Sequence, residues 1–303
     1  MFPSYIPSQA DRLTESTSIT IVKQIKQASI PTSFTPQPIL TTHVREGKGE
    51  TPILLLHGFD SSLIEYRRLL PLLAEKQETW AVDLFGFGFC ARNLDIPINP
   101  ETIKAHLYYF WKSFIQQPVI LVGASMGGAA AIDFTLTYPE VVEKLVLIDS
   151  AGLVKPPAIG KFMFPPLDYF ATEFLRNPKV RQNISRTAYY DKSFASVDAQ
   201  NCAALHLYCE NWHKALVKFT KSGGYGSFIQ ELPKIEQQTL ILWGRQDKIV
   251  GTKGATKFKA GIPNSKLVWI ENCGHVPHLE KPQITAEEIL QLTSNNVNPN
   301  DIN

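Results

Sequence analysis

The chain has 303 residues, of which 44% are hydrophobic and 19% charged, and its formal net charge is +2. This composition is typical of a folded globular protein and excludes a disordered or fibrous chain. The 30 basic and 28 acidic residues are interspersed without a long basic block, so nothing in the charge pattern supports nucleic-acid binding. The length allows one large α/β domain with an insertion.

The sequence has no recognisable signal peptide, membrane helix or disulfide pattern. Its N-terminus has no basic region followed by an apolar stretch and a small-residue cleavage site. The longest uncharged segment, 118–132, is interrupted by glycines and is shorter than the roughly 18 apolar residues of a membrane helix. The four cysteines follow no metal or disulfide spacing, which predicts reduced, buried thiols at Cys90, Cys202, Cys209 and Cys273. We therefore expect a cytoplasmic protein without a spanning segment.

Apolar runs alternate with helical patterns along most of the chain, which predicts a doubly wound, mostly parallel α/β sheet. Strands are predicted at 39–44, 53–56, 79–82, 119–122, 145–148, 239–243 and 267–270. Helices are predicted at 63–75, 102–115, 126–137 and 285–292. Residues 11–28 have the spacing of a short amphipathic helix that packs on the domain, with peripheral membrane contact as the alternative.

The strand pattern disappears after Gly152, where prolines and aromatic residues become frequent, and it returns at 239–243. Because strands of one sheet flank this region, we interpret it as a helical cap inserted into the sheet domain. The predicted organisation is an N-terminal extension (1–38), a core (39–151 and 236–293), the cap (152–235) and a polar tail (294–303).

A Gly-x-Ser-x-Gly pattern centred on Ser125 joins the apolar run 119–122 to a helix of small residues. So tight a strand-to-helix corner lifts the central side chain clear of the sheet, and Gly123 and Gly127 lack the Cβ atoms that would clash there. This is the pattern of a nucleophile elbow. It predicts an acid and then a histidine further along the chain.

Asp247 and His275 meet this requirement, because each follows a predicted strand whose end lies at the edge of the sheet where Ser125 is expected. A histidine that takes the serine proton, oriented by a carboxylate, makes the hydroxyl a useful nucleophile. Asp149, which ends the strand after the elbow, is the second choice for the acid, and Asp133 and Asp83 also compete for it.

An oxyanion hole needs two backbone N–H groups directed at the carbonyl oxygen of the substrate. Met126, directly after the nucleophile, supplies one, and Phe59, in the loop after strand 53–56, is the best candidate for the second. His57 then holds that loop as a structural residue. No pattern indicates a metal or a cofactor, because the histidine spacings are poor and the glycines after Asp83 lack the third member of a dinucleotide loop.

With these residues in place, the chain resembles the α/β-hydrolase superfamily from about residue 39 to 292, in the branch with a cap after the sixth strand. The resemblance rests on Gly-Ala-Ser125-Met-Gly-Gly, Gly-Arg-Gln-Asp247, Cys-Gly-His275 and His57-Gly-Phe59. Other stretches, including His-Gly-Phe-Asp-Ser-Ser, are similar to uncharacterised hydrolases of cyanobacteria and chloroplasts. The resemblance implies Ser-His-Asp hydrolysis and leaves the substrate open.

At some positions this chain differs from particular groups within the superfamily, and these differences reduce the number of reactions to consider. Epoxide hydrolases and haloalkane dehalogenases have aspartate where this chain has Ser125. Hydrolases of carbon–carbon bonds usually have asparagine before the nucleophile and tryptophan after the histidine, where this chain has Ala124 and Val276. Perhydrolases share the Ser-Met-Gly-Gly sequence.

We therefore expect a serine hydrolase that cleaves a carboxylic ester of an apolar small molecule. The alternatives are a carbon–carbon bond hydrolase or perhydrolase of the same fold, and a ligand-binding protein that has kept the fold without turnover. Four cap aromatics either line the substrate pocket or pack the cap's own core: Phe164, Tyr169, Trp212 and Tyr225. The oligomeric state is open.

Overall fold

A computed structural model of the protein describes residues 1–154 and 167–294. Within them, eight strands form one sheet in the order β1-β2-β4-β3-β5-β6-β7-β8. Their bounds are β1 Lys26–Thr32, β2 Thr35–Glu46, β3 Ile53–Leu56, β4 Thr79–Val82, β5 Val119–Ala124, β6 Val142–Ile148, β7 Gln238–Gly244 and β8 Ser265–Ile270. β2 pairs antiparallel with β1 and β4, and the remaining pairs are parallel. The predicted doubly wound, mostly parallel fold is confirmed.

Helices lie on both faces of this sheet and over one of its edges. Their bounds are α1 Ser16–Gln24, α2 Leu70–Ala74, α3 Pro100–Phe114, α4 Met126–Thr137, α5 Leu167–Arg176, α6 Pro178–Ala188, α7 Val197–Ala204, α8 Trp212–Ser222, α9 Lys253–Gly261, α10 Pro277–Glu280 and α11 Pro282–Ser294. No helix in the described ranges is long and apolar enough to cross a membrane.

The N-terminal prediction was right about the helix and wrong about both of its ends, because the helix begins at Ser16 and not at residue 11. The helix ends at Gln24, and the chain then enters β1, which pairs with β2 from Lys26 opposite His43. This pairing depends on a partner strand, so the local periodicity did not reveal it. Ile21 and Val22 of α1 are buried, so the apolar face packs on the domain as predicted.

The predicted helix 63–75 is two shorter pieces, a 3-10 helix at Leu63–Tyr66 and α2. Pro71 lies in the first turn of α2 and has no N–H to donate, so one continuous helix would lose a backbone hydrogen bond there. Four residues of this region lie beside Ser125 in the wall of a cavity: Ser61, Ser62, Glu65 and Arg67. The other predicted strands and helices are present, most of them longer than predicted.

β3 packs against the apolar clusters on both faces of the sheet, and its place in the strand order indicates where a binding crevice lies. All four of its residues are fully buried, with Leu54 and Leu56 in the apolar cluster on one face and Ile53 and Leu55 in the cluster on the other. β3 lies between β4 and β5, so the chain passes from β3 to β4 on one side and then crosses back over β3 to β5 on the other. Crevices form at such reversals, at the carboxyl ends of the strands.

The chain segment between β6 and β7 is helical in its described part, 167–235, with α5 to α8. Residues of α5, α6 and α7 face the loops that follow β3, β5 and β8 across a cavity. The helices of this segment therefore cover the carboxyl edge of the sheet. The exact bounds of the extension, core, cap and tail stay a prediction.

Candidate active site

Ser125 lies at the corner between β5 and α4 with φ 53° and ψ −118°. A positive φ is strained for a residue with a Cβ, and such strain persists only where neighbours enforce it. The Ser125 N–H donates to the carbonyl of Ile148 at 3.0 Å. A Cβ on Gly123 would lie 2.2 Å from the Gly127 carbonyl oxygen, and one on Gly127 would lie 2.0 Å from the Leu56 carbonyl oxygen. Both glycines are therefore required by close backbone approach, as the pattern predicted.

His275 and Asp247, which follow β8 and β7, are joined by a hydrogen bond of 3.0 Å between His275 Nδ1 and Asp247 Oδ2. The other carboxylate oxygen of Asp247 accepts the N–H of Ile249 at 2.7 Å. Burial opposes ionisation of Asp247, but the hydrogen bond and charge of His275 outweigh it and hold the pKa of this carboxyl below its ordinary value. His275 and Ser125 line the same cavity.

Asp149, the second choice for the acid, lies directly behind Asp247. It is fully buried and accepts the Gly244 N–H at 3.1 Å. Burial, and then the negative charge of Asp247, raise the pKa of Asp149 well above its ordinary value, which favours the protonated form that donates a hydrogen bond to Asp247. The structure therefore places Asp247, and not Asp149, in contact with the imidazole of His275.

The other two candidate acids have different partners. Asp83 accepts the backbone N–H groups of Leu63 and Phe89 at 2.8 Å and 2.9 Å and so orders the loops around β4. Asp133 pairs with Lys104 at 2.8 Å, between α4 and α3. Neither contacts His275.

The two predicted oxyanion residues lie on either side of Ser125. Met126 is the first residue of α4, and Phe59 lies in the loop after β3. A Cβ on Gly58 would touch the Ser125 Cβ at 3.4 Å, so this loop passes directly beside the serine. Within residues 1–154 and 167–294, the backbone N–H groups of Phe59 and Met126 donate to no acceptor, which leaves both available to a ligand oxygen.

His57 has the structural role that its position predicted. Its Nε2 accepts the Leu84 N–H at 3.1 Å, so the proton lies on Nδ1, which donates to the Gly58 carbonyl at 2.8 Å. Complete burial lowers the pKa of His57, and the imidazole is therefore neutral. It ties the loop after β3 to the loop after β4.

A cavity of about 330 Å³ contains Ser125 and His275. Its cap side is largely apolar, with Leu175, Ile184, Ala188 and Ala199 from α5, α6 and α7. Its opposite side is polar, with Glu65, Arg67 and His278. Sequence reasoning missed Glu65 and Arg67, because nothing local to the predicted helix 63–75 shows that residues of the cap enclose two of its charged side chains.

Of the cap aromatics named from the sequence, the described ones, Tyr169, Trp212 and Tyr225, do not line this cavity, whereas Tyr189 of the cap does. Trp212 is buried between the cap and the loop after β3, and Tyr169 is more than half exposed. Tyr225 packs against Phe219, and Phe164 is outside the described residues. The cysteines are free thiols, of which Cys209 is half-buried and the other three are buried.

The ligand-type atoms of Asp149, Asp247 and His275 lie within 4.8 Å of one another, a spacing that could hold a metal ion. These three groups already satisfy one another, because Asp247 binds both the imidazole of His275 and the protonated Asp149. The expected absence of a metal and of a cofactor stays a prediction.

Fold and site together define the class of protein. Residues 51–282 match the family described as alpha/beta hydrolase fold, and the chain belongs to that family. It is 30% identical, over 97% of its length and 91% of the relative's, to the alpha/beta hydrolase domain-containing protein VTE7 of Arabidopsis thaliana. It is also 31% identical to a 2-hydroxy-6-oxo-6-(2'-aminophenyl)hexa-2,4-dienoic acid hydrolase of Metapseudomonas resinovorans, over 84% of this chain and 87% of the relative.

Solved structures agree with this assignment. A serine hydrolase involved in carbazole degradation superposes with a TM-score of 0.75 at 26% identity, over 89% of this chain and 99% of that one. An esterase from Thermogutta terrifontis superposes with a TM-score of 0.74 at 22% identity, over 89% and 98%, and shows the shared fold. A further relative, found by sequence and not by structure, is human monoacylglycerol lipase ABHD6, which is 25% identical over 79% of this chain and 74% of its own length.

Proposed function

We propose that the protein is a serine hydrolase that cleaves a carboxylic ester of a largely apolar small molecule through an acyl-enzyme. The hydrogen bond between His275 and Asp247 carries the proposal, because it occupies Nδ1 and leaves Nε2 of the same ring to accept a proton. Ser125, on its strained corner, opens into the cavity that His275 also lines.

The reaction follows the roles of these groups. His275 takes the hydroxyl proton as Ser125 attacks the ester carbonyl, and Asp247 stabilises the imidazolium that forms. The N–H groups of Phe59 and Met126 hydrogen-bond to the developing oxyanion, an interaction worth a few kcal/mol in the transition state. His275 then gives this proton to the departing alkoxide oxygen, and the alcohol leaves. It next takes a proton from a water molecule that attacks the acyl-enzyme, and returns it to Ser125 as the acid product is released.

A fluorophosphonate probe tests the nucleophile directly, because it phosphonylates an activated serine. Wild-type protein should be labelled, and Ser125→Ala should not. The proposed nucleophile is wrong if both are labelled equally. If wild type is not labelled, gives no acyl burst with nitrophenyl esters and binds an apolar ligand in one-to-one ratio, the non-catalytic alternative is correct.

A second candidate, hydrolysis of a carbon–carbon bond, is favoured by the similarity to the dienoic acid hydrolase of Metapseudomonas resinovorans. Ala124 and Val276 stand where such enzymes usually have asparagine and tryptophan, which is why we propose ester cleavage first. Turnover of a vinylogous diketone together with inactivity toward all nitrophenyl esters would reverse this order. Peroxide-dependent turnover of a carboxylic acid would identify a perhydrolase.

A cytoplasmic location is also part of the proposal. Its support is the four free thiols, since reducing compartments keep cysteines unpaired. Fractionation of cells that express the full chain with a C-terminal tag would test it.

A further inference from the structure

Two buried polar side chains in the wall of the Ser125 cavity have nitrogen atoms without hydrogen-bond partners. Arg67 and His278 are each only 2% exposed. The guanidinium of Arg67 is hydrogen-bonded to the Tyr189 side chain, but among the described residues nothing accepts from its Nε or Nη2. Neither ring nitrogen of His278 has a hydrogen-bond partner, and its Nε2 lies 3.8 Å from Glu65 Oε1. A buried donor left unsatisfied is costly, and native proteins contain few of them. Both side chains line the cavity that holds the proposed nucleophile.

The charge of Arg67 is also unpaired. In the described part of the chain, no carboxylate oxygen lies within 4.0 Å of a guanidinium nitrogen of Arg67, so the side chain forms no salt bridge. Three carboxylates are close enough to interact with it electrostatically, and each is held by other donors. Glu15 pairs with Arg68, Asp198 accepts backbone N–H groups and a serine hydroxyl, and Glu65 accepts a backbone N–H.

We propose that Arg67, together with His278, binds a carboxylate of the substrate, so that the enzyme acts on esters that carry a free acid group. A guanidinium presents a planar fork of donors that matches the two oxygens of a carboxylate. A buried cation gains most from an anionic partner, because the cost of its desolvation is then offset. The inference rests on the proposed function, since it places the acid group in the cavity of Ser125.

Glu65 does not oppose such a ligand. Burial raises the pKa of its carboxyl to about 7, and a second carboxylate nearby favours the protonated form further. Burial lowers the pKa of His278 to about 3, so its neutral ring keeps one N–H that can donate to the ligand. The apolar cap side of the cavity would then contact the rest of an amphiphilic substrate.

The test uses mono-p-nitrophenyl esters of linear dicarboxylic acids of increasing chain length. Each is compared with a capped ester, in which the free acid group has been converted to its methyl ester. The ratio of kcat/KM for the acid to that for the capped ester measures recognition of the carboxylate. In wild type this ratio should exceed about tenfold at one or more chain lengths, the size of a charge-assisted hydrogen bond. Arg67→Gln should reduce the ratio to near one, and Arg67→Lys should restore part of it.

Arg68→Gln is the matched control, because Arg68 is the next residue, carries the same charge and pairs with Glu15 outside the cavity lining. Its ratio should equal that of wild type. Arg67 also borders a smaller cavity beside α1. If the guanidinium serves only that cavity or ordered water, Arg67→Gln and wild type will show the same ratio, and the inference is overturned.

Calorimetric binding to Ser125→Ala separates this inference from the proposed function. A methyl hemiester of the preferred dicarboxylic acid should bind about tenfold more tightly than the dimethyl ester. Adding Arg67→Gln should abolish the difference. Binding that follows this pattern supports the acid site even if wild type fails to turn over esters, whereas ester turnover with no preference for the acid rejects the acid site alone.

Discussion

Asp60, the residue after Phe59, accepts a 2.7 Å hydrogen bond from the indole Nε1 of Trp212 on α8. The same carboxylate accepts from Arg181 Nη1 at 2.8 Å and lies 3.0 Å from His206 Nε2. Asp60 has φ 48°, so the loop is turned sharply where it meets these partners. One side chain thus fastens the loop that carries the Phe59 N–H to three segments of the cap.

Replacing Asp60 with alanine should destabilise the protein by about 3 kcal/mol, because it leaves the buried Trp212 N–H without its acceptor and the half-buried charge of Arg181 without its carboxylate partner. Asp60→Asn keeps an acceptor for Trp212 and should lose less. Urea denaturation measures both. An alanine variant as stable as wild type would show that the cap is held by other contacts.

Removing the carboxylate that contacts His275 should slow the reaction far more than it weakens folding. We expect Asp247→Asn to lower kcat by about 10³–10⁴-fold, because the amide no longer holds the Nδ1–H tautomer. Nitrophenyl ester turnover measures kcat, with Ser125→Ala as the background control. A fall of less than tenfold would mean that Asp247 is not the orienting acid.

Asp149 should tolerate asparagine, because the native side chain is already uncharged. Asp149→Asn keeps an oxygen for the Gly244 N–H and a donor for Asp247, so kcat/KM should stay within about threefold of wild type. Asp149→Leu removes both hydrogen bonds and should lower activity and stability together. If Asp149→Asn is as impaired as Asp247→Asn, the assignment of the acid must be exchanged.

Glu65 should make the stability of the protein depend on pH near neutrality. Its folded-state pKa of about 7 lies above the ordinary 4.5, so the folded state binds its proton more tightly than the unfolded state. The stabilisation is complete below pH 4.5 and is lost as the pH rises through 7, by up to about 3 kcal/mol.

Glu65→Gln provides the comparison, because glutamine does not titrate. The free energy of unfolding of wild type should fall relative to this variant as the pH is raised from 4.5 to 7. Parallel pH profiles from urea denaturation would contradict a raised pKa at Glu65.

Much of the site could be predicted from the sequence, because its determinants are local. The Gly-x-Ser-x-Gly corner requires glycine at 123 and 127, because a Cβ at either position would lie within 2.2 Å of a backbone carbonyl oxygen. That requirement is visible in five adjacent residues of the sequence. Asp247 and His275 each follow a short buried strand, and parallel strands bring their carboxyl ends to one edge. Order along the chain therefore predicted proximity in space.

Tertiary structure alone decided what depends on distant partners. β1 exists because residues 26–32 pair with β2, a pairing that no helical or strand periodicity in that segment shows. Arg67 is buried in a cavity wall that residues of the cap complete, and its burial and the unpaired atoms of its guanidinium distinguish it from an ordinary surface arginine. The same holds for Asp60, whose three cap partners come from residues far along the chain. Local sequence thus predicted the groups that meet at the carboxyl edge of the sheet, while long-range packing decided the shape and lining of the cavity beside Ser125.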